Sequence, residues 1–384
     1  MGGGFGGVKT ALDLADNSGF EVTLMSDNDS FRYYPALYHV ATGGSLAAAS
    51  LPLAEIFKGK NVKLVSDSAK KLDREAKKVS GKDGDYKYDT LIIALGVVTN
   101  YFGIKGLKEY SYGIKSQADA QQLREHIHEV LTDKTKPELN YVVIGGGPTG
   151  VELAAALPSY IDHVRQKHGL RAKKVNVEIV EAAPRLMPHM PQSYSKAVAG
   201  RLRRLEIKLY LHEAVQAETP DKLSFSGGSL QSRTVVWTAG VTNHPFFDAN
   251  KFGLADHGKV KVDEYLQAEP DIYVIGDNAG TPYSGMAQTA LYDAKILSDN
   301  LKRKAEGRKP QPYRPKKPIY VTPVGPGWAA VLWNNVHFYG RLGWLLRSAA
   351  DLAGYKDYQP WWPAAERWLA EYTSEDTCPV CAAV

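Results

Sequence analysis

Cysteine is nearly absent from this chain: two occur in 384 residues, Cys378 and Cys381, both close to the last residue. A disulfide framework is thereby excluded, and a reducing compartment suits such usage. Uninterrupted apolar runs of the roughly 20 residues that a spanning helix needs are also missing, so any membrane contact is expected at the surface. No secretory signal is expected either, because the chain opens on a glycine cluster. Charge of one sign is scarce. The formal excess of +5 is too small to argue for nucleic acid, though it suits an anionic nucleotide or an acidic membrane face. Histidines show no ligand spacing; His126 and His128 stand two apart, on different faces of a helix, and no metal is expected.

What is present is an ordinary globular composition, 44% apolar and 23% charged, long enough for about two to three domains. Its main feature is an internal repeat. The cluster Gly2, Gly3, Gly4, Phe5, Gly6, Gly7, Val8 returns as Gly145, Gly146, Gly147, Pro148, Thr149, Gly150, Val151, 143 positions later. Each copy leads into an Ala/Leu-rich helical stretch and then an apolar strand, 21–25 and 177–180. Glycine run, helix and strand, in that order, make a nucleotide-binding βαβ unit. The second copy has a leading strand, 141–144, whereas the first has only Met1, so the sequence is expected to be clipped or its start placed too late. Further strands are predicted over 91–94, 234–237 and 272–275, with hairpin-like turns at 85–88 and 227–228.

One Gly-x-Gly-x-x-Gly is weak evidence, since glycine clusters also build plain turns; two copies in helix-and-strand context are not. Gly2 and Gly145 permit the tight turn, Gly4 and Gly147 let a pyrophosphate approach, and Gly7 and Gly150 let helix and strand pack closely. The helix N-terminus supplies free N–H groups and a positive dipole. Glu181 ends the second strand, placed to bind a ribose diol and to repel a 2′-phosphate, which favours NADH over NADPH. Its distance from Gly150 exceeds the usual spacing, which an extended helix and loop over 160–174 explains. Arg185 is near enough in sequence to soften that preference. The matching position in the first copy is Ser26, followed by Asp27, and either could contact a ribose, with Asp27 nearly as readable as a turn residue. Asp277 closes the strand 271–277 after Gly276, where a carboxylate reaches the hydroxyls of a ribityl chain.

Taken together, 145–154, Trp237 to Val241 and Tyr273 to Asp277 resemble the two-dinucleotide-binding flavoproteins. Within them, 33–38 with Ala41, Thr42 and Gly43, and 99–104, look like the type II NADH dehydrogenases. The resemblance covers roughly residues 1 to 300. It implies an α/β fold of two Rossmann-like dinucleotide-binding domains, with FAD on the first glycine cluster and Asp277 and NADH on the second with Glu181. The FAD side is further assigned Ala94, Gly96, Gly276 and Ala287, and the NADH side Gly240. Glu152 matches the family glutamate near nicotinamide and flavin. The family's quinone motif reads here Ala287, Gln288, Thr289, Ala290, Leu291, Tyr292, Asp293: Gln288 is kept, while Tyr292 and Asp293 stand where glutamines are usual. Glu152 and Gln288 are the candidates for positioning and proton handling, with NADH as donor and a quinone as acceptor. Disulfide reductases and sulfide:quinone oxidoreductases of this superfamily need cysteines beside the flavin, and none precedes Cys378.

The FAD domain is expected over 1–115 and 240–318, discontinuous, and the NADH domain over 116–239. After a polar linker at 302–318, residues 319–384 form a C-terminal region holding six of the seven tryptophans. Residues 336–353 predict an amphipathic helix, with Tyr339, Leu342, Leu345, Leu346, Ala349 and Leu352 on one side and Arg347, Ser348 and Asp351 elsewhere. Two readings stand: a peripheral anchor on the cytoplasmic face of a membrane, which the tryptophans favour, or a helix packed on the catalytic domains or in a homodimer. Cys378 and Cys381 form a Cys-x-x-Cys that is half of a zinc site, a redox pair, or a functionless tail. Two rival functions remain: a soluble NADH-dependent reductase of a ferredoxin-like protein, and a truncated, non-enzymatic NADH-binding protein.

Overall fold

The computed structural model describes residues 1–170 and 174–373; Cys378 and Cys381 lie outside them. The elements that position the site, in chain order, are α1 (Phe5–Ala15), β1 (Val22–Ser26), α2 (Leu37–Ala41), β2 (Val62–Ser66) and β3 (Leu91–Ile93). They are followed by α3 (Gln117–Thr132), β4 (Asn140–Ile144), α4 (Pro148–Lys167), β5 (Asn176–Glu181), β6 (Lys208–Leu211) and β7 (Thr234–Trp237). Next come β8 (Gln267–Glu269), β9 (Ile272–Val274), α5 (Ala287–Ala305), β10 (Tyr320–Pro323), β11 (Ala329–Trp333), β12 (Val336–Tyr339), α6 (Gly340–Lys356) and α7 (Trp361–Ala370).

The second glycine copy sits in a four-stranded parallel sheet of order β6-β5-β4-β7. Tyr141, Val142 and Val143 in β4 are fully buried. A strand covered on both faces reads as a continuous apolar run, which is what 141–144 is. The first copy is built alike with a shorter centre: β1 pairs in parallel with β2, and β9 pairs in parallel with β3 and antiparallel with β8. Met1 stands between β1 and β3. The Gly2 amide donates to Met25 O at 2.8 Å and Ala94 N to Met1 O at 2.9 Å. In the second copy Gly145 N donates to Val180 O, and Thr238 N to Ile144 O, both at 2.9 Å. Met1 therefore occupies the register of Ile144, the last residue of β4.

The turn predicted at 85–88 lies a few residues earlier, because Asp85–Lys87 pairs as a strand with Lys78–Ser80. The helix predicted from 336 begins at Gly340, since 336–339 closes an antiparallel meander as β12. Helix α6 lies close on β11: a Cβ at Gly343 would stand 2.2 Å from Ala329 O. Its buried stripe is Gly343, Arg347, Asp351 and Tyr355, spaced by four. Arg347 and Asp351 form a buried ion pair, while Leu342 is 53% and Leu345 65% exposed. The sequence separated an apolar side from a charged side correctly, but the charged side faces inward.

Candidate active site

Both glycine loops deliver their residues as helix N-termini. Gly4 and Gly147 are the N-cap residues of α1 and α4, and neither helix has a side-chain cap. The first N–H groups of each helix are left for an anion. A Cβ added to Gly4 or Gly147 would meet nothing within 4 Å, so each loop borders open space. Gly7 and Gly150 are the opposite case: a Cβ on either would stand 2.0 Å from the carbonyl oxygen of Gly2 or Gly145. The two open cradles, walled by residues that cannot grow, fit two pyrophosphates.

The loop's second wall is also duplicated. Glu181 accepts from Gly146 N at 2.5 Å and from Ala183 N at 2.6 Å, so the carboxylate is fixed beside the glycine loop. Ser26 takes the same place in the first copy, and a Cβ on Gly3 would strike its Oγ at 2.3 Å. Asp27 is exposed and accepts from Asn28 Nδ2 at 2.6 Å, a turn residue's contact. Arg185 donates to Met190 O at 2.7 Å and Ser195 Oγ at 2.6 Å. Its guanidinium is engaged with these neighbours.

The remaining residues assigned to FAD converge on the first cradle. Ala94 caps β3 beside Gly2, whose Cβ would lie 2.1 Å from Ala94 O. Gly96 exchanges hydrogen bonds with Asn278, receiving at its carbonyl from Nδ2 (2.6 Å) and donating from its amide to Oδ1 (2.8 Å). Gly276 and Asp277 follow β9, and Ala287 opens α5. The Asp277 carboxyl is raised above its usual range by burial, against the opposing pull of Lys259 and Lys115. Behind the turn, Asp293 is fully buried and accepts from Gly276 N at 3.0 Å; burial pushes its carboxyl up to about 6. Asp293, read from the sequence only as a departure from the usual glutamine, is therefore the residue that fixes the Asp277 turn.

Glu152 lies one turn into α4, in electrostatic reach of Arg347 from α6. Burial pushes its carboxyl up to about 8, against the lowering influence of Arg347. A carboxyl held so high keeps its proton at neutral pH and can surrender it. Gly240, with φ near 81°, packs on Phe102 and Asn100 beyond β7. Gln288 is differently placed from the other candidates. Its amide is closed on the backbone of Ile319, with Nε2 donating to the carbonyl at 2.9 Å and Oε1 accepting from the amide at 3.0 Å. Proton handling by Gln288 would require it to leave this clip.

The profile of the pyridine nucleotide-disulphide oxidoreductase family matches residues 1–294. The chain belongs to this family. Among curated members it is similar to the type II NADH:quinone oxidoreductase of Staphylococcus saprophyticus, 28% identical over 334 residues, 80% of this chain and 82% of that one. The enzyme of the same name from Staphylococcus aureus is 28% identical over 331 residues, with the same shares covered. Among solved structures, NDH2 from Plasmodium falciparum in complex with NADH superposes with a TM-score of 0.87 at 19% identity. It covers 97% of this chain and 96% of its own. The sulfide:quinone oxidoreductase of Aquifex aeolicus follows with a TM-score of 0.78 at 21% identity, over 91% and 88%. These structural likenesses establish the α/β fold with its two Rossmann-type units and C-terminal helices. No described helix is long and apolar enough to cross a membrane.

Proposed function

We propose that this family member oxidises NADH through bound FAD and passes the two electrons to a quinone at a membrane surface. The observation that carries the reading is the pair of matched cradles, one ending in Ser26 and Asp277, the other in Glu181. The FAD unit would comprise residues 1–115 and 240–318, and the NADH unit 116–239. FAD held there supplies the chemistry of accepting a hydride and giving up electrons, so the chain needs no nucleophile of its own. The chain's residues bind and orient. The α1 and α4 N-termini hold the pyrophosphates, Glu181 takes the ribose diol, and the Asp277 turn, locked by Asp293, holds the ribityl side. Glu152 stores a proton next to the reacting rings. Fixing both partners in this way removes much of the orientational cost of the transfer.

Membrane association is supported by the inverted polarity of α6. A soluble helix turns charge outward and leucine inward; here Arg347 and Asp351 are buried while Leu342 and Leu345 face out, joined by Trp361 and Trp362 of α7. Several large exposed apolar side chains on the two C-terminal helices suit an interaction face, and indole rings suit the headgroup zone. An anaerobic visible spectrum, with NADH and then a short-chain quinone added, tests the proposal. Flavin bands that bleach and then return are the expected result. Bleaching without return would leave a reductase for another acceptor, such as a ferredoxin-like protein, and a protein that never binds flavin would end the reading.

A further inference from the structure

Between α5 and β10 the chain runs through 308–319 without a regular element, and from 304 to 317 every side chain is exposed except Tyr313. That phenol turns inward onto the core cluster of Leu14, Tyr273, Leu297 and their neighbours, and its hydroxyl is buried. The chain on either side is held down. Gln311 N donates to Asn300 Oδ1 at 2.8 Å, Asn300 Nδ2 donates back to Gln311 O at 2.8 Å, and Tyr313 N donates to Glu264 O at 2.6 Å. The segment expected as a polar linker is therefore a strap with one anchor.

The anchor ends behind the Asp277 turn. Asp293 Oδ1, Thr281 Oγ1 and the Tyr313 hydroxyl are all buried, and none has a hydrogen-bond partner among the described residues. Buried polar groups are nearly always paired, so three orphans in one place call for a cause. They are neighbours: burial raises the Tyr313 hydroxyl above its usual range, the Asp293 carboxylate raises it further, and Thr281 draws it back. A phenol can donate to a carboxylate and receive from a threonine at once, so a small shift closes both bonds. The two partners flank the segment that carries the FAD candidates. Thr281 follows Asp277, and Asp293 lies on α5 beyond Ala287. Through its other oxygen Asp293 already holds Gly276 N, and Ser284 Oγ donates to Gly276 O at 3.1 Å.

We propose that Tyr313 is a positioning residue of the flavin site. Its hydroxyl bridges Thr281 and Asp293, holds the Asp277 turn and the start of α5 at the spacing that FAD requires, and so couples flavin binding to the seating of the strap. The inference rests on the FAD reading above and adds to it a residue that no dinucleotide motif contains. Such coupling is reciprocal: what the seated strap adds to FAD affinity, bound FAD returns to the strap. A seated strap opens less often, and proteases cut the opened state.

The test uses the full chain, stripped of flavin and titrated with FAD while flavin fluorescence is followed. Tyr313→Phe keeps the ring and removes only the hydroxyl. The Kd for FAD is expected to rise about tenfold, one hydrogen bond's worth, while NADH affinity and the Tm of the flavin-free chain stay close to the parent. The double variant Tyr313→Phe with Asp293→Asn should lose little more than the worse single variant, because the two side chains act as one unit. Trypsin supplies a second readout. Cuts after Arg308 and Lys316, both exposed, should slow by about fivefold or more when FAD saturates the parent, and Tyr313→Phe should lose most of that protection. A phenol that only packs would leave both readouts of Tyr313→Phe at the parent's level. FAD affinity within about twofold of the parent, or cleavage of the parent indifferent to FAD, would overturn the proposal and leave the flavin reading standing. A parent that takes up no FAD would sink the flavin reading itself, and the role of Tyr313 with it.

Discussion

The C-terminal helices give the sharpest quantitative expectation. Five large side chains stand more than half exposed on them: Leu342, Leu345, Trp361, Trp362 and Leu369. Fully burying one such side chain is worth roughly 1.5–3 kcal/mol, so sinking the exposed part of all five into an interface holds about 4–9 kcal/mol before immobilisation costs. Leu345→Glu removes about 1–2 kcal/mol of this and adds about 1–3 kcal/mol for a carboxylate forced toward hydrocarbon. The partition coefficient should therefore fall by about 30-fold or more. Co-sedimentation with lipid vesicles, at low salt and again at high salt, measures it. Because the driving force is apolar, raising the salt should leave the parent's binding nearly intact; a surface held only by charge would lose it. Equal sedimentation of parent and variant, or a parent that stays in the supernatant at both salt levels, would refute the argument and leave a face that packs on something other than lipid.

Other consequences follow from the cradles. Glu181→Gln keeps the fold but removes the charge that repels a 2′-phosphate; the NADPH-to-NADH ratio of kcat/KM should rise by about tenfold or more, and no rise would remove Glu181 from the ribose. Gly147→Ala has open space and should leave the Tm nearly unchanged while weakening NADH binding. Gly150→Ala drives a methyl into Gly145 O and should cost several degrees or prevent folding; a fully stable Gly150→Ala protein would contradict the geometry. Asp293→Ala strands the buried Gly276 N–H, at about 1–3 kcal/mol, and should lower FAD retention on gel filtration. Glu152 has a raised folded value, so the native chain keeps a proton that the unfolded chain releases. Its contribution is full below its ordinary 4.5 and is lost as pH rises through about 8. The Tm of Glu152→Gln should therefore gain on the parent between those limits, and a constant difference across that range would argue against the raised value.

The cradles were legible because their requirements are local. A helix that must touch its own loop demands Gly7 and Gly150, and a buried parallel strand demands the apolar run of 141–144. Glu181 followed from strand-end logic alone. Arg185, close in sequence to Glu181, takes partners that proximity does not announce, Met190 and Ser195, the latter in the helix that follows. Periodicity found both faces of α6 but carries no sign, since it cannot say which stripe meets the protein.

The near-identity of the two cradles has a consequence for how the chain records its own history. Gly4 and Gly7 meet the same surroundings as Gly147 and Gly150, open space and the loop's own carbonyl, so a complete survey of single substitutions should correlate with itself at an offset of 143 at those positions. That echo should fade on reaching the strand ends, where Ser26 and Glu181 stand at an offset of 155 and contribute different chemistry. Tolerance would then read as two superposed messages: a repeated one written by backbone sterics, and a unique one written by the nucleotide each copy came to hold.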